Sequence, residues 1–292
     1  MENRENNSLL AAVDIGSNTV QMIIAGREAG KIRPIKRFYA TTRLGQGMSK
    51  GILLKENIEA TIQALQDIKS YLELYKPARI RLAATSAVRE ASNCQYFLTR
   101  AADATGLIIE VLNSQEEALL SYLGATKKQN TDHLVLDVGG GSSELIWQEE
   151  GRLQTISLPL GAVRAAAAGW KQREIAEQIN DLPHLARRQL IGLGGTITTA
   201  AGILLGQSSY DREAVDGQVL SCAALEDLEQ DLSVLSPQER CRYSPLLAKR
   251  GEIMAEGLQI ILAIMDTISA QELQVSASGI LDGIIYELTI DN

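Results

Sequence analysis

The chain has 292 residues, of which 45% are hydrophobic, 22% charged and only 4% aromatic, and its formal net charge is −8. This is the composition of a folded chain with an aliphatic core, long enough for two domains, and it sets aside disorder. The acidic balance argues against a broad nucleic-acid or membrane-surface role, because both partners are polyanionic, so any anionic substrate must be held by local groups.

The N-terminal MENRENNSLL is polar and carries no signal-peptide pattern. LLAAVDI and TVQMIIAG then flank Gly16, Ser17 and Asn18, and read as strand, turn, strand. IRPIKRFYATTRL continues as a third strand. In KENIEATIQALQDIKSYLELYKP, residues Ile58, Ile62, Leu65, Ile68 and Leu72 recur at helical spacing, and Pro77 marks the stop. RIRLAAT and LIIEVLN read as two further strands. The first half is thus a sheet of early hairpin strands followed by strand and helix in alternation.

A second set opens at HLVLDVGGGSSELIWQEEGRLQTISL, again strand, glycine turn, strand, strand. RRQLIGLGGTITTAAGIL is a strand entering a glycine turn and a small-residue helix. The apolar GLQIILAIMDTIS is a helix too short to span a bilayer, and QVSASGILDGIIYEL closes as strand, turn and helix. With no Pro- or Ser-rich linker, the boundary falls near residue 125, giving domains 1–125 and 126–292, with the last helix able to pack back on the first domain. Cys94, Cys222 and Cys241 lack CxxC spacing and fit free thiols in a reducing cytoplasm.

LAAVDIGSNTVQMI and LVLDVGGGSSELIW are the same device twice: an apolar strand ending in an acid, a Gly-containing turn and a return strand. The acids, Asp14 and Asp137, are 137 − 14 = 123 positions apart, one in each half. Backbone N–H groups in such a turn can bind a phosphoryl group without a bulky side chain in the way, and two turns could grip adjacent phosphates. An acid beside each turn would repel phosphate unless a divalent cation lay between them, so Asp14 and Asp137 read as positioners of Mg2+. GxxxxGK[ST] is absent, and GLGGTI lacks the third Gly of a dinucleotide fingerprint. His133 and His184, the only histidines, read as structural.

DIGSNTV, DVGGGSSEL and IGLGGTITT resemble the phosphate and nucleotide signatures of the actin, hexokinase and chaperone ATPase superfamily. With RLGQGM, AATSAVREASN, SQEEALLSYLGA, SLPLGAVR and VSASGILDG in order, the chain resembles the exopolyphosphatase and guanosine pentaphosphate phosphohydrolase family, in its short form without an HD domain. The resemblance implies an α/β fold of two ribonuclease-H-like domains with an interdomain cleft. It also implies a cytoplasmic enzyme, with a homodimer as its expected assembly, which uses Mg2+ or Mn2+ to remove the terminal phosphate from polyphosphate or a phosphorylated guanosine nucleotide.

On that resemblance Glu117 is the general base, with Glu116 as its adjacent competitor, and Arg89 contacts phosphate. Phosphate binding falls to Gly16, Ser17, Asn18, Thr19 and Arg43 in the first half. In the second it falls to Gly139, Gly140, Gly141, Ser142, Ser143, Gly195 and Thr196. Departures from the family pattern are Gln21, Gln46, Asp216 and Leu281; at positions 21 and 281 many members carry a cation. KIRPIKR and the arginines of KPARIRLAATSAVR could supply a local basic track or could be solvated edges. Inorganic polyphosphate is the first substrate expected. Guanosine pentaphosphate hydrolysis, a non-catalytic alarmone or nucleotide sensor, and a sugar or acid kinase are the other readings.

Overall fold

A computed structural model describes residues 8–28, 31–48, 51–127, 132–170, 172–179, 182–183, 185 and 188–290. They group into two compact units, one running up to Gly124 and resuming at Ile280, the other comprising Ala125–Gly279.

In the first unit β1 (Leu10–Ile15), β2 (Thr19–Glu28) and β3 (Lys31–Thr41) form an antiparallel meander. The helix α1 (Lys55–Tyr75) buries the Ile58, Ile62, Leu65, Ile68 and Leu72 face and ends at Lys76, whose left-handed φ of 49° lets its N–H reach the Leu72 carbonyl. β4 (Arg79–Ala84) then pairs parallel to β1. After α2 (Ser86–Arg89) and α3 (Cys94–Thr105), the two-residue β5 (Glu110–Val111) pairs with β4, giving the order β3-β2-β1-β4-β5. α4 (Ser114–Thr126) follows.

The second unit repeats the plan. β6 (His133–Val138), β7 (Ser143–Glu149) and β8 (Arg152–Leu158) form its meander. After α5 (Ala162–Ala168) and α6 (Gln172–Glu177), β9 (Gln189–Leu193) pairs parallel to β6. Then come α7 (Gly195–Leu204), α8 (Arg212–Val215), β10 (Val219–Ser221), α9 (Cys222–Ser233), α10 (Pro237–Tyr243), α11 (Gly251–Thr267) and β11 (Glu272–Val275). The sheet order is β10-β11-β9-β6-β7-β8.

The C-terminal helix, α12 (Ile280–Ile290), belongs to the first unit rather than to the half of the chain that precedes it. The alternation of β1 explains its seat. Ala11, Val13 and Ile15 face α1 and α3, whereas Leu10 and Ala12 face a separate core built with Leu120 of α4 and with Leu281, Ile284, Ile285 and Leu288 of α12. At Gly283 any side chain would collide with the Leu120 carbonyl, so the two helices pack backbone to backbone. Leu281 is only 7% exposed in this core, so the position where a substrate cation was sought is a packing position here.

The basic track is also largely spoken for within the first unit. Arg33 pairs with Glu28, Arg37 with Asp282 at 3.2 Å, and Arg81 with Glu110 and Glu287. Arg79 donates to the Leu288 carbonyl at 2.7 Å, and Lys36 lies 4.7 Å from the centre of the Tyr71 ring. Cys94, Cys222 and Cys241 are free thiols. His133 is buried, and burial lowers its pKa; His184 lies outside the described residues. Among the described residues no helix is long and apolar enough to cross a membrane.

Candidate active site

In the first unit the turn after β1 closes through the Gly16 N–H donating to the Thr19 carbonyl at 2.9 Å. The remaining carbonyls are occupied from behind: the Gly45 N–H donates to Ser17 O at 2.8 Å, and the Thr42 and Arg43 N–H groups both donate to Asn18 O. Among the described residues the Ser17 and Asn18 N–H groups donate to nothing, and both residues are exposed. With the Ser17, Asn18 and Thr19 carbonyls engaged and two N–H groups left without a protein partner, the turn has donors to offer an anion. Arg43 contributes its backbone here, at a φ of 54°, and its side chain is exposed.

Asp14 lies on the α4 and α12 face of β1 by the alternation that places Leu10 and Ala12 there. Glu117 stands one turn before Leu120 on α4 and therefore projects from the same side of that helix. Burial, together with the Glu117 charge, raises the Asp14 pKa from 3.8 to about 7, and its Oδ1 is buried without a hydrogen-bond partner. Arg89 donates to Glu117 Oε2 at 2.6 Å and to the Leu112 carbonyl at 2.9 Å, and both charged side chains are about a quarter exposed, at 26% and 25%.

Glu116 has a different task. Its Oε2 accepts the Asn113 N–H at 2.9 Å, while Asn113 Oδ1 accepts the Gln115 and Glu116 N–H groups, a reciprocal cap on the start of α4.

The second unit builds the same turn. The Gly139 N–H donates to Ser142 O at 2.9 Å, Gly139 O accepts Ala162 N–H, and Gly140 O accepts Val163 and Arg164 N–H. Arg164 Nε donates to the Gly141 carbonyl at 2.8 Å, and the Gly140 and Gly141 N–H groups donate to nothing among the described residues. Gly161 permits this packing, since a Cβ there would lie 2.5 Å from the Gly140 backbone. Ser143 is instead fully buried and donates to the Leu160 carbonyl, so its hydroxyl serves the fold and not a ligand.

Around the second turn stand residues that sequence reading missed. Glu144, directly opposite Asp137 across β6 and β7, accepts from Ser142 Oγ at 2.6 Å and Ser157 Oγ at 3.0 Å. Its signal was its register, because Gln21 occupies the same place opposite Asp14. Asp137 Oδ1 lies 2.8 Å from where a Gly194 Cβ would be, and Gly194 itself has φ +91°, a conformation that leaves little alternative to glycine. The Arg250 guanidinium rests on Gly195 so closely that any side chain there would collide with it. A cation at the positive start of α7 is favourable only if an anion joins it. Thr196 packs its side chain against Gly257 and is 3% exposed, leaving only its N–H for such an anion.

Among the described residues no group of three or more His, Cys, Asp or Glu could hold a metal ion by itself. The residues present still fit a divalent cation of the kind that takes one or two carboxylates and completes its shell with water and substrate oxygens. The orphaned, buried Oδ1 of Asp14 beside Glu117 is the observation that supports this.

The Ppx/GppA phosphatase family model matches residues 23–291. Exopolyphosphatase 2 of Mycobacterium tuberculosis is 28% identical over 96% of this chain and 98% of its own length. The solved PPX-GPPA enzyme of Aquifex aeolicus superposes with a TM-score of 0.86 at 28% identity, covering 96% of this chain and 99% of that one. An exopolyphosphatase from Cytophaga hutchinsonii shares the fold at 20% identity with a TM-score of 0.84, covering 96% of this chain and 97% of its own. With that match across nearly its whole length, the chain belongs to the Ppx/GppA phosphatase family.

Proposed function

We propose that this chain is a phosphoanhydride hydrolase that releases the terminal phosphate of inorganic polyphosphate with the aid of Mg2+ or Mn2+. The observation that carries the reading is the convergence of Asp14, Glu117 and Arg89 in the unit whose first turn leaves the Ser17 and Asn18 N–H groups without an acceptor among the described residues. A terminal phosphoryl at that turn would accept the Ser17 and Asn18 N–H groups. Glu117 takes a proton from the attacking water, the new P–O bond forms as the bridging P–O bond breaks, and the shortened chain leaves with the electron pair. Arg89 holds Glu117 in place and offsets charge on the phosphoryl oxygens as it develops. A divalent cation at Asp14 would supply the neutralisation that lets a carboxylate stand beside phosphate.

In the second unit the Gly140 and Gly141 N–H groups and the Arg250 guanidinium are the phosphate-holding groups in this reading, with Asp137 and Glu144 as its acids. The exopolyphosphatases among the relatives favour polyphosphate; the family also admits guanosine pentaphosphate. A homodimer in the cytoplasm completes the proposal, with light scattering of the purified protein as the check on assembly. The deciding experiment incubates the protein with Mg2+ and polyphosphate, and separately with guanosine pentaphosphate, and measures released phosphate. Release from polyphosphate supports the reading, release from the nucleotide alone moves it to the second substrate, and release from neither leaves a binding protein.

A further inference from the structure

Ser17 Oγ and Ser86 Oγ are hydrogen-bonded at 3.1 Å on the exposed side of the first turn. Such a bond adds little to stability, because water competes for both hydroxyls. Yet the backbone on either side is locked by contacts that do not depend on it. The Thr85 N–H donates to the Ile15 carbonyl at 3.2 Å, which fixes the start of α2 against the end of β1. The Gly45 N–H holds the Ser17 carbonyl at 2.8 Å, and a Cβ on Gly45 would lie 3.2 Å from Ser17 Cβ and 3.3 Å from Ala87 Cβ. Three chain segments thus bring two hydroxyls together where they contribute little to the fold.

The internal repeat marks the same position. In the first sheet Asp14 pairs with Ala83, three residues before Ser86; in the second, Asp137 pairs with Leu193, three residues before Thr196. Ser86 is therefore the counterpart of Thr196, and Ser17 that of Gly140. The second unit has turned the Thr196 side chain inward and set Arg250 on Gly195, whereas the first keeps two neutral hydroxyls outward. Ser86 also lies three residues before Arg89 on α2, so both project from one side of that short helix.

We propose that Ser86 is a substrate-contacting residue, acting with Ser17 as one donor unit for the phosphoryl group held at the Gly16–Thr19 turn. Two hydroxyls carry two protons; one is spent between them and the other is donated to a phosphate oxygen, each bond polarising the next. The proposal rests on the phosphohydrolase reading only for what the phosphoryl group is attached to.

The test measures binding of inorganic tripolyphosphate with Mg2+ by calorimetry in the full chain, in Ser17→Ala, in Ser86→Ala and in the double variant. Hydrolysis is suppressed by Glu117→Gln in every sample. Each single change should weaken binding about tenfold, as expected for a lost hydrogen bond to a charged group, and the double change about as much as either alone. Ser86→Thr, which keeps the hydroxyl, should bind like the parent, separating contact from folding. Unchanged affinity in Ser86→Ala, losses that simply multiply in the double variant, failure of Ser86→Thr to bind, or no binding by the parent would each overturn the proposal. If Ser86-dependent binding is found but the unmodified chain releases no phosphate, the hydrolase reading falls and the contact stands.

Discussion

Arg89 and Glu117 are joined by a 2.6 Å hydrogen bond, while the neighbouring Glu116 is turned back onto the Asn113 N–H. The adjacent acids therefore have separable consequences. Glu117→Gln keeps a side-chain oxygen that can still accept from Arg89, so it should remain folded, and it should slow phosphate release on the order of 10²- to 10⁴-fold. Glu116→Gln removes the carboxylate from the cap and should cost about 0.5–2 kcal/mol of stability at most, with turnover within a few-fold of the parent. Steady-state rates and thermal melts of the two variants check this, and a reversed pattern would transfer the base role to Glu116.

Asp14 makes a prediction about pH. Its pKa is raised from 3.8 to about 7, by burial first and by Glu117 second, so the folded state holds this proton more tightly than the unfolded chain does. The stability it contributes is fully present below the unfolded value and is lost as pH rises through about 7, in total on the order of a few kcal/mol. In chelator, the parent should lose thermal stability between about pH 5 and about pH 8 by an amount that Asp14→Asn does not lose. The Asp14→Asn variant should be the more stable protein at the alkaline end and inactive there. Added Mg2+ should restore stability to the parent alone. Parallel melting profiles for parent and variant would remove the unpaired carboxylate from the explanation.

The two glycines behind the turns differ in a measurable way. A Cβ at Gly161 would meet backbone at 2.5 Å, which no side-chain rotation relieves, whereas one at Gly45 would meet the Ser17 and Ala87 side chains at 3.2 and 3.3 Å. Gly161→Ala should therefore cost about 1–3 kcal/mol and abolish the donor arrangement of the second turn, while Gly45→Ala costs less than that. Denaturant titration orders the two variants, and equal losses would mean that the second turn yields to accommodate the methyl group.

Much of this was legible in the chain. The repeated Asp and glycine turns, the five-residue apolar stripe of α1 and the small-residue entry to α7 all follow from local periodicity and turn chemistry. Family resemblance gives Glu117 as the base and Arg89 as a phosphate contact, but not their ion pair, because the residues are 28 positions apart and no local pattern links them. Arg250 and Glu144 were missed for a related reason: one acts through a glycine 55 positions earlier, the other only through cross-strand register. The Ser143 and Thr196 side chains are buried, an outcome the sequence does not announce, since a hydroxyl in a glycine-rich motif gives no sign of which way the strand or helix will turn it. Leu281 was read as a lost cation, although its spacing with Ile284, Ile285 and Leu288 already describes a buried helix face.

The partnered state of the basic residues bears on how a long polyphosphate is handled. Retention between cleavages needs many cations along successive phosphates, and in the first unit Arg33, Arg37 and Arg81 are each engaged by a carboxylate, while Arg79 holds the end of α12. Gln21 faces Asp14 in the sheet without a charge, and the chain as a whole stands at −8. Grip beyond the first few phosphates should be weak and, being carried by exposed charges, sensitive to salt over a Debye length of about 8 to 10 Å. The expected behaviour is distributive cleavage with a preference for short chains. A gel time course should show intermediate lengths accumulating from a long polymer, and affinity should fall steadily as salt rises. Gln21→Arg, which adds a cation opposite Asp14, should lengthen the preferred chain without changing the melting temperature by more than about 2–4 °C. A time course holding only full-length polymer and free phosphate, unmoved by salt, would instead require a shielded binding track and would end the distributive reading.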